Sequence, residues 1–410
     1  VKPVSRTLIP VFALAVMPLV CAAAQEIALP ADPPASRTVT PQVLWSIGGE
    51  DEEDVLLGLV SGTVQGPDGN TYLLDTQLSQ VLVISPEGEL VATLGREGDG
   101  PGEMRRPHNL FFLDDHTLAV IQGFPSNLTL LNLDGTPAGR ISLGCEASEG
   151  GFKIVQKALP ADGRLVVAHG RGTFDPAAGK STMKLSLAVF DREGNEQVQL
   201  ITLTQERDMT RMVFDEAKEF SELDQWGVSS QGLIFTTPER EDYVISVYDL
   251  TGAKVRTMRR PFTTRTRTDE DKKRIGSGRV FRRRGLQIEV ENHILDTDPA
   301  IMGLNTAADG RLFVTDSFGH GKGLPEGIAA RYGVISSEGE FIEELSLAIP
   351  DFDADQDRVN FLDGKHFLVL HNIRSATEAF RAGFGGSEAE SDDEDLGDVE
   401  PLELVLYTLP

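Results

Sequence analysis

Residues 68–107 read DGNTYLLDTQLSQVLVISPEGELVATLGREGDGPGEMRRP. A Pro-Asp-Gly turn ends at Gly69, and short apolar runs follow at 72–74, 81–84 and 90–94, with a Pro-Glu-Gly turn between the last two. Aliphatic and β-branched runs of this length, cut by Gly, Pro and Asp, predict antiparallel strands joined by hairpins. The stretch then leaves through a glycine-rich exit at 95–102.

The same unit recurs along the chain, at 60–94, 109–143, 155–203, 225–258, 302–347 and from 359 onward. Turn glycines mark the third-to-fourth strand connection at Gly88, Gly135, Gly194, Gly252 and Gly339. Others mark the first-to-second connection at Gly69, Gly163, Gly232, Gly310 and Gly364. Glycine supplies the positive φ that tight hairpins need. Four-stranded units repeated about an axis make a β-propeller. The sixth copy ends after three strands, while Gln42–Gly48 reads as a strand with no hairpin partner; it is expected to supply the missing fourth strand. The fold class is therefore all-β, a six-bladed propeller over 41–410 closed by an N-terminal strand.

Composition agrees. The 410 residues are 40% hydrophobic, enough for a large core, and 41 glycines with 22 prolines favour turns over long helices. Residues 1–24 have the plan of a secretory signal: Lys2 and Arg6, an apolar run at 8–20 broken by Pro10 and Pro18, and three alanines before Gln25. That run is too short and too interrupted for a membrane span, and no small residue precedes Cys21 as lipidation would require. Residues 25–40, rich in Pro and Ala, are expected to form a mobile leader. Loss of the signal leaves Cys145 as the one cysteine, so no intramolecular disulfide is expected. The formal charge of −26 becomes −28 when Lys2 and Arg6 leave, which disfavours nucleic acid as a partner. An exported monomer, periplasmic or extracellular and without stable membrane insertion, is the expectation.

The stretch 73–107 resembles an NHL repeat, with its Asp-Thr, polar loop, strand, Gly-containing turn and Gly-x-Gly-Pro-Gly exit, although Met104 stands where that family usually has Phe. The chain as a whole resembles bacterial exported six-bladed propellers of NHL-like type. The resemblance implies the fold and carries little about activity.

Loops joining strands two and three, and those joining blades, lie on one face of a propeller. The insertions fall there, at 95–107, 170–183, 261–298, 317–331, 350–357 and 372–401. Tolerated insertions would scatter over both faces, so this insertion face is the expected binding face, for a protein, peptide or glycan. Second strands end on it at Asp75, Gln122, His169, Thr237, Asp316 and His371, and His108 and Asn109 begin an innermost strand there. Such a ring suits a divalent cation or an anionic ligand, as axial His/Asp/Asn sets do in lactonase-type propellers, or simply caps strand ends. The first option defines an alternative function, a metal-dependent hydrolase or lyase. Asp351, Asp353, Asp355 and Asp357 alternate as at the start of a calcium loop, but Gln356 and Leu362 stand where an EF-hand needs Gly and Glu.

Thirteen Lys and Arg crowd 254–284, and eight carboxylates crowd 387–400; the two stretches either dock on each other or are solvated separately. The basic stretch could also hold a polyanion such as an anionic glycan. No Gly-x-Ser-x-Gly elbow, His-Glu-x-x-His, P-loop or Cys-x-x-Cys is present. No catalytic residue is assigned.

Overall fold

The structure, a computed structural model, describes residues 24–49, 55, 57–123, 126–144, 151–211, 213–277, 281–283, 286–288, 290–384 and 400–410. Six four-stranded antiparallel sheets form the ring. Blade 1 runs Val60–Gln65, Thr71–Asp75, Gln80–Ile84 and Leu90–Leu94, and blade 2 runs Pro107–Asp114, Thr117–Gln122, Asn127–Asn132 and Pro137–Ile141. Blade 3 comprises Gly151–Ala161, Arg164–Asp175, Lys180–Phe190 and Glu196–Asp208; blade 4 comprises Trp226–Val228, Ile234–Thr236, Tyr243–Tyr248 and Lys254–Arg260. Blade 5 is Ile301–Thr306, Leu312–Asp316, Ala330–Ile335 and Phe341–Leu347. Blade 6 combines Arg358–Phe361, His366–His371 and Glu403–Thr408 with Gln42–Gly48, which pairs antiparallel with Glu403–Thr408 from Gln42 opposite Thr408 to Gly48 opposite Glu403.

The apolar core is divided among the blade junctions. Buried apolar side chains of the described residues fall into six clusters, one at each junction between neighbouring blades. Middle strands therefore bury both faces: every residue of Thr71–Asp75 is buried, which is why these strands read as continuous apolar runs without alternation. In blades 1 to 5 the third-to-fourth turn abuts the outer edge of the blade before it. Gly88, at φ +92°, shows why the turn takes glycine: a Cβ there would sit 2.6 Å from Cβ of Trp45 in blade 6. Gly194, Gly252 and Gly339 meet Ile141, Val198 and Ile27 in the same way.

Residues 25–40, expected as a mobile leader, are strand-forming instead. Gln25–Ala28 adds in parallel to Lys254–Arg260, the outer edge of blade 4, and Ser36–Val39 adds in parallel to Phe341–Leu347, the outer edge of blade 5. The physical reason is a set of sparse anchors in a Pro/Ala background. Leu29 and Val39 are buried, the Leu29 N–H donates to the Arg259 carbonyl at 2.7 Å, and Arg37 pairs with Glu343 at 2.9 Å. Covering these edges also removes two templates for edge-to-edge pairing.

The insertion at 170–183 is not a loop. It is the upward extension of blade 3, whose strands have 11 to 13 residues against 5 in Thr71–Asp75. At about 3.3 Å per residue the hairpin stands roughly 20 Å above its neighbours. Other insertions form the helices Glu216–Glu219, Asp269–Ser277 and Ile373–Phe384. Among the described residues no helix is long and apolar enough to cross a membrane. The expected signal at 1–24 (bar Ala24), both cysteines and nearly all of the acidic stretch 387–400 lie outside the described residues.

Candidate functional site

The innermost strands are built alike at their insertion-face ends. In blades 1, 2, 3 and 5 the pairing skips one residue: Val60 and Gly62 pair but Ser61 does not, and the same holds for His108, Gln156 and Met302. Such bulges re-aim side chains and are favoured at binding sites. Here they lie around one end of the central channel, and Arg358, the first residue of the innermost strand of blade 6, completes that mouth.

Several of these side chains tie one blade to the next. His108 Nε2 lies 3.1 Å from the Val155 carbonyl oxygen, joining blades 2 and 3, and Lys157 Nζ donates to the Trp226 carbonyl at 2.9 Å, joining blades 3 and 4. Thr306 donates to the Val228 carbonyl at 2.8 Å, and Asn360 donates to Thr63 Oγ1 at 3.4 Å. Burial pushes the His108 imidazole down, so it is neutral at pH 7 and donates from Nε2. Lys157 also lies 4.7 Å from the centre of the Trp226 ring, and burial brings its ammonium down to about 8.

Among the described residues, those expected to form an axial set do not meet as a group of metal ligands. Asp75 is fully buried and accepts the amides of Gly58 at 2.8 Å and Leu78 at 3.0 Å, fastening its own loop. Asp316, its counterpart in blade 5, accepts the Phe318 amide at 2.9 Å and faces Arg260 and Arg331, each at 3.5 Å. Asn109 pairs with Ile121 in the ladder. His169 is buried, with Glu196 at 3.7 Å from Nε2 and neither ring nitrogen hydrogen-bonded among the described residues. Burial first, then Lys153, Arg171 and Lys184, hold His169 near 4, so it is neutral at pH 7.

His371 donates from Nδ1 to Asp357 at 2.8 Å; this hydrogen bond raises the imidazole, and although burial alone would raise Asp357, its hydrogen bonds with His371, Asp353 and Asn372 hold it low. Asp357 also accepts the amides of Asp353 and Asn372, both at 2.9 Å, and Asp353 accepts the Asp355 amide at 2.8 Å. Asp353 and Asp357 therefore make a self-closed turn that locks His371, while the Asp355 carboxylate turns to Arg274. Carboxylate oxygens satisfied by local amides are turned away from a common centre. Among the described residues no three His, Cys, Asp or Glu side chains converge as metal ligands.

Arginines of the basic stretch are paired with carboxylates, most of them from outside it. Arg267 spans Glu216 at 2.6 Å and Asp298 at 2.7 Å; Arg265 spans Asp298 at 2.6 Å and Asp271 at 3.0 Å; Arg240 joins Glu216 at 2.8 Å. Arg274 reaches Asp271 and Asp355. Arg260 lies over Tyr243, Phe262 and Phe341 at 4.9–5.5 Å from the ring centres and donates to the Ala31 carbonyl. Burial opposes charge on Asp271, but the Thr268 amide and Arg265 outweigh it and hold it at about 2. Charge-assisted pairs with several partners each are the geometry that lets ions be buried.

Sequence reasoning missed Gln156, Lys157 and Arg358. The cue was present as isolated polar residues in VQKALPA and RVNF, but only the bulges place them at the mouth.

No family model matches the chain, and no curated protein matches it. Among solved structures, a member of the duf4221 family from Bacteroides vulgatus aligns with TM-score 0.50 at 11% identity, covering 91% of this chain and 98% of that one. A proposed exported protein from Bacteroides fragilis aligns with TM-score 0.46 at 12% identity over 94% and 100% of the two chains. Virginiamycin B lyase from Staphylococcus aureus aligns with TM-score 0.40 at 9% identity over 89% and 99%. At such identities the likeness extends to the fold alone, and the chain is similar in architecture to six-bladed propellers.

Proposed function

We propose that this chain is an exported binding module of NHL-like type that recognises a protein, peptide or glycan through its insertion face. The observation that carries the reading is the pair of exposed aromatic side chains at the top of blade 3: Phe174, 55% exposed, stands on its projecting hairpin and Phe152, 42% exposed, on the strand beside it, with Met209 and Val213 exposed nearby. Met209 and Val213 border a groove of about 760 Å³ whose other walls include Thr204, Arg207, Phe214 and Lys218. Exposed aromatic side chains on a stiff support are characteristic anchors of recognition surfaces. The ion network around Arg267 supports the reading, because it fastens Arg265, Arg267 and Asp298 of the insertion between blades 4 and 5 to Glu216 and Asp271 before any partner arrives.

The alternative of a metal-dependent hydrolase or lyase needs ligands that meet, and its candidates Asp316 and His371 are engaged with Arg260, Arg331 and Asp357. The test is binding to glycan and peptide arrays by the wild type, Phe174→Ser and Val91→Ser, the last an equally exposed residue on the outer strand of blade 1. Loss of signal in Phe174→Ser alone is expected. Equal signals from all three proteins would sink the proposal.

A further inference from the structure

The chain carries 64 Asp and Glu against 38 Lys and Arg, yet its innermost strands reverse that balance. The strands Val60–Gln65, Pro107–Asp114, Gly151–Ala161, Trp226–Val228, Ile301–Thr306 and Arg358–Phe361 contain Lys153, Lys157, Arg358 and His108 against a single carboxylate, Asp114. Asp114 ends its strand at the turn face, the far end of the channel, where it is paired with Arg192 at 3.0 Å. Lys153 is spent on the Leu143 carbonyl. Lys157 is likewise held by the Trp226 carbonyl at 2.9 Å, which leaves Arg358 at the insertion-face mouth on blade 6 and Gln156 at the bulge of blade 3, the blade that stands opposite in a ring of six.

Arg358 is the more telling of the two. It is exposed, and it begins an innermost strand at that strand's insertion-face end. It has no hydrogen bond or ion pair among the described residues, although Arg240, Arg265, Arg267 and Arg331 on the same face all have carboxylate partners. Among the described residues no carboxylate stands near enough to Arg358 to offset the burial that pushes its guanidinium down. Gln156, exposed at the bulge beside Lys157, adds an amide that can donate to an oxyanion.

We propose that the channel mouth is a subsite for the carboxylate of a small acidic ligand, held by the Arg358 guanidinium with Gln156 across the channel. A planar guanidinium matches a carboxylate in two parallel hydrogen bonds, which an ammonium cannot reproduce. The acidic exterior repels anions at long range, so such a site selects ligands that bring further contacts to the insertion face. The inference deepens the binding-module reading and rests on it for the rest of the ligand.

The test uses the whole protein and three probes, glucuronate, the neutral sugar glucose and an acetylated acidic dipeptide, followed by isothermal titration calorimetry. Saturable binding of glucuronate or of the dipeptide, with none of glucose, is expected; whichever binds identifies a sugar or a peptide as the source of the carboxylate. Arg358→Gln is expected to weaken that binding at least tenfold. Arg358→Lys, which keeps the charge and loses the fork, should recover only part of it. Arg164→Gln, at the turn face, should leave it unchanged, and melting curves without ligand verify that each variant folds. Absence of binding by both acids, or equal weakening by Arg164→Gln and Arg358→Gln, would overturn the proposal. Array binding that still depends on Phe174 would show that the subsite had failed while the binding-module reading stood.

Discussion

Replacing Glu216 by Gln removes one charge from the cluster that fixes the insertion face and leaves its shape unchanged. Oε1 accepts from Arg240 at 2.8 Å and Arg267 at 2.9 Å, while Oε2 accepts from Arg267 at 2.6 Å and from the Leu295 amide at 2.9 Å. Burial by itself would raise this carboxyl, but Arg267, the Leu295 amide and Arg240 outweigh burial and bring it from 4.5 to about 2. At about 1.4 kcal/mol per unit that depression corresponds to about 3 kcal/mol of stability. The side chain is 14% exposed, so screening by water takes little from the figure. Breaking a buried ion pair costs about 3–5 kcal/mol in general. The lower end applies, because Arg267 keeps Asp298 and the Leu295 carbonyl and Arg240 keeps the Thr297 carbonyl.

The sign follows from the folded value lying below the unfolded one. The contribution is complete above pH 4.5 and disappears as pH falls toward 2. Urea unfolding followed by the fluorescence of Trp226, buried between blades 3 and 4, would measure it at pH 7 and again at pH 3. Glu216→Gln should lose about 3 kcal/mol at pH 7 and clearly less at pH 3. A loss below about 1 kcal/mol at pH 7, or the same loss at both pH values, would refute the reasoning.

Two further outcomes are expected. Gly88→Ala should lower the melting temperature more than Gly310→Ala: both sites have positive φ, at +92° and +87°, but an added Cβ meets Trp45 at 2.6 Å in the first and nothing closer than 3.5 Å in the second. The backbone term is about 1 kcal/mol in each and overpacking adds about 1–3 kcal/mol at Gly88, so equal shifts would contradict the close contact of blades 6 and 1. Asp357→Asn should lower the pKa of His371 in an NMR titration, since the hydrogen bond to Asp357 is what raises it. The wild-type pair stabilises the fold between the depressed Asp357 and the raised His371 values, fading as pH falls through the first or rises through the second; an unmoved His371 would disprove the pairing.

How much could be read in advance differs between fold and site for a physical reason. Apolar runs of five residues and glycines at positive φ are local requirements, so the stretch around Gly88 disclosed the blade and its repeats disclosed the ring. Edge strands anchored by one or two residues carry no such local signature. Leu29 and Val39 are legible as anchors only once the outer edges of blades 4 and 5 exist to receive them, and for that reason 25–40 read as a leader.

The polar residues divide in the same way. Sequence alone placed Asp75, His169, Asp316 and His371 at strand ends on one face, because chain order fixes which end of a strand faces which loop. Whether such groups converge depends on the tilt of each blade and on which amides and cations lie beside them, and those come from segments far apart in the chain: Asp316 meets Arg260 and Arg331, and Arg267 meets Glu216. Tertiary structure decided that Asp75, Asp316 and His371 fasten the scaffold, while His169 is buried with neither ring nitrogen hydrogen-bonded among the described residues. It also decided that Arg358, an ordinary residue in the linear sequence, stands at the mouth of the channel with no carboxylate partner among the described residues.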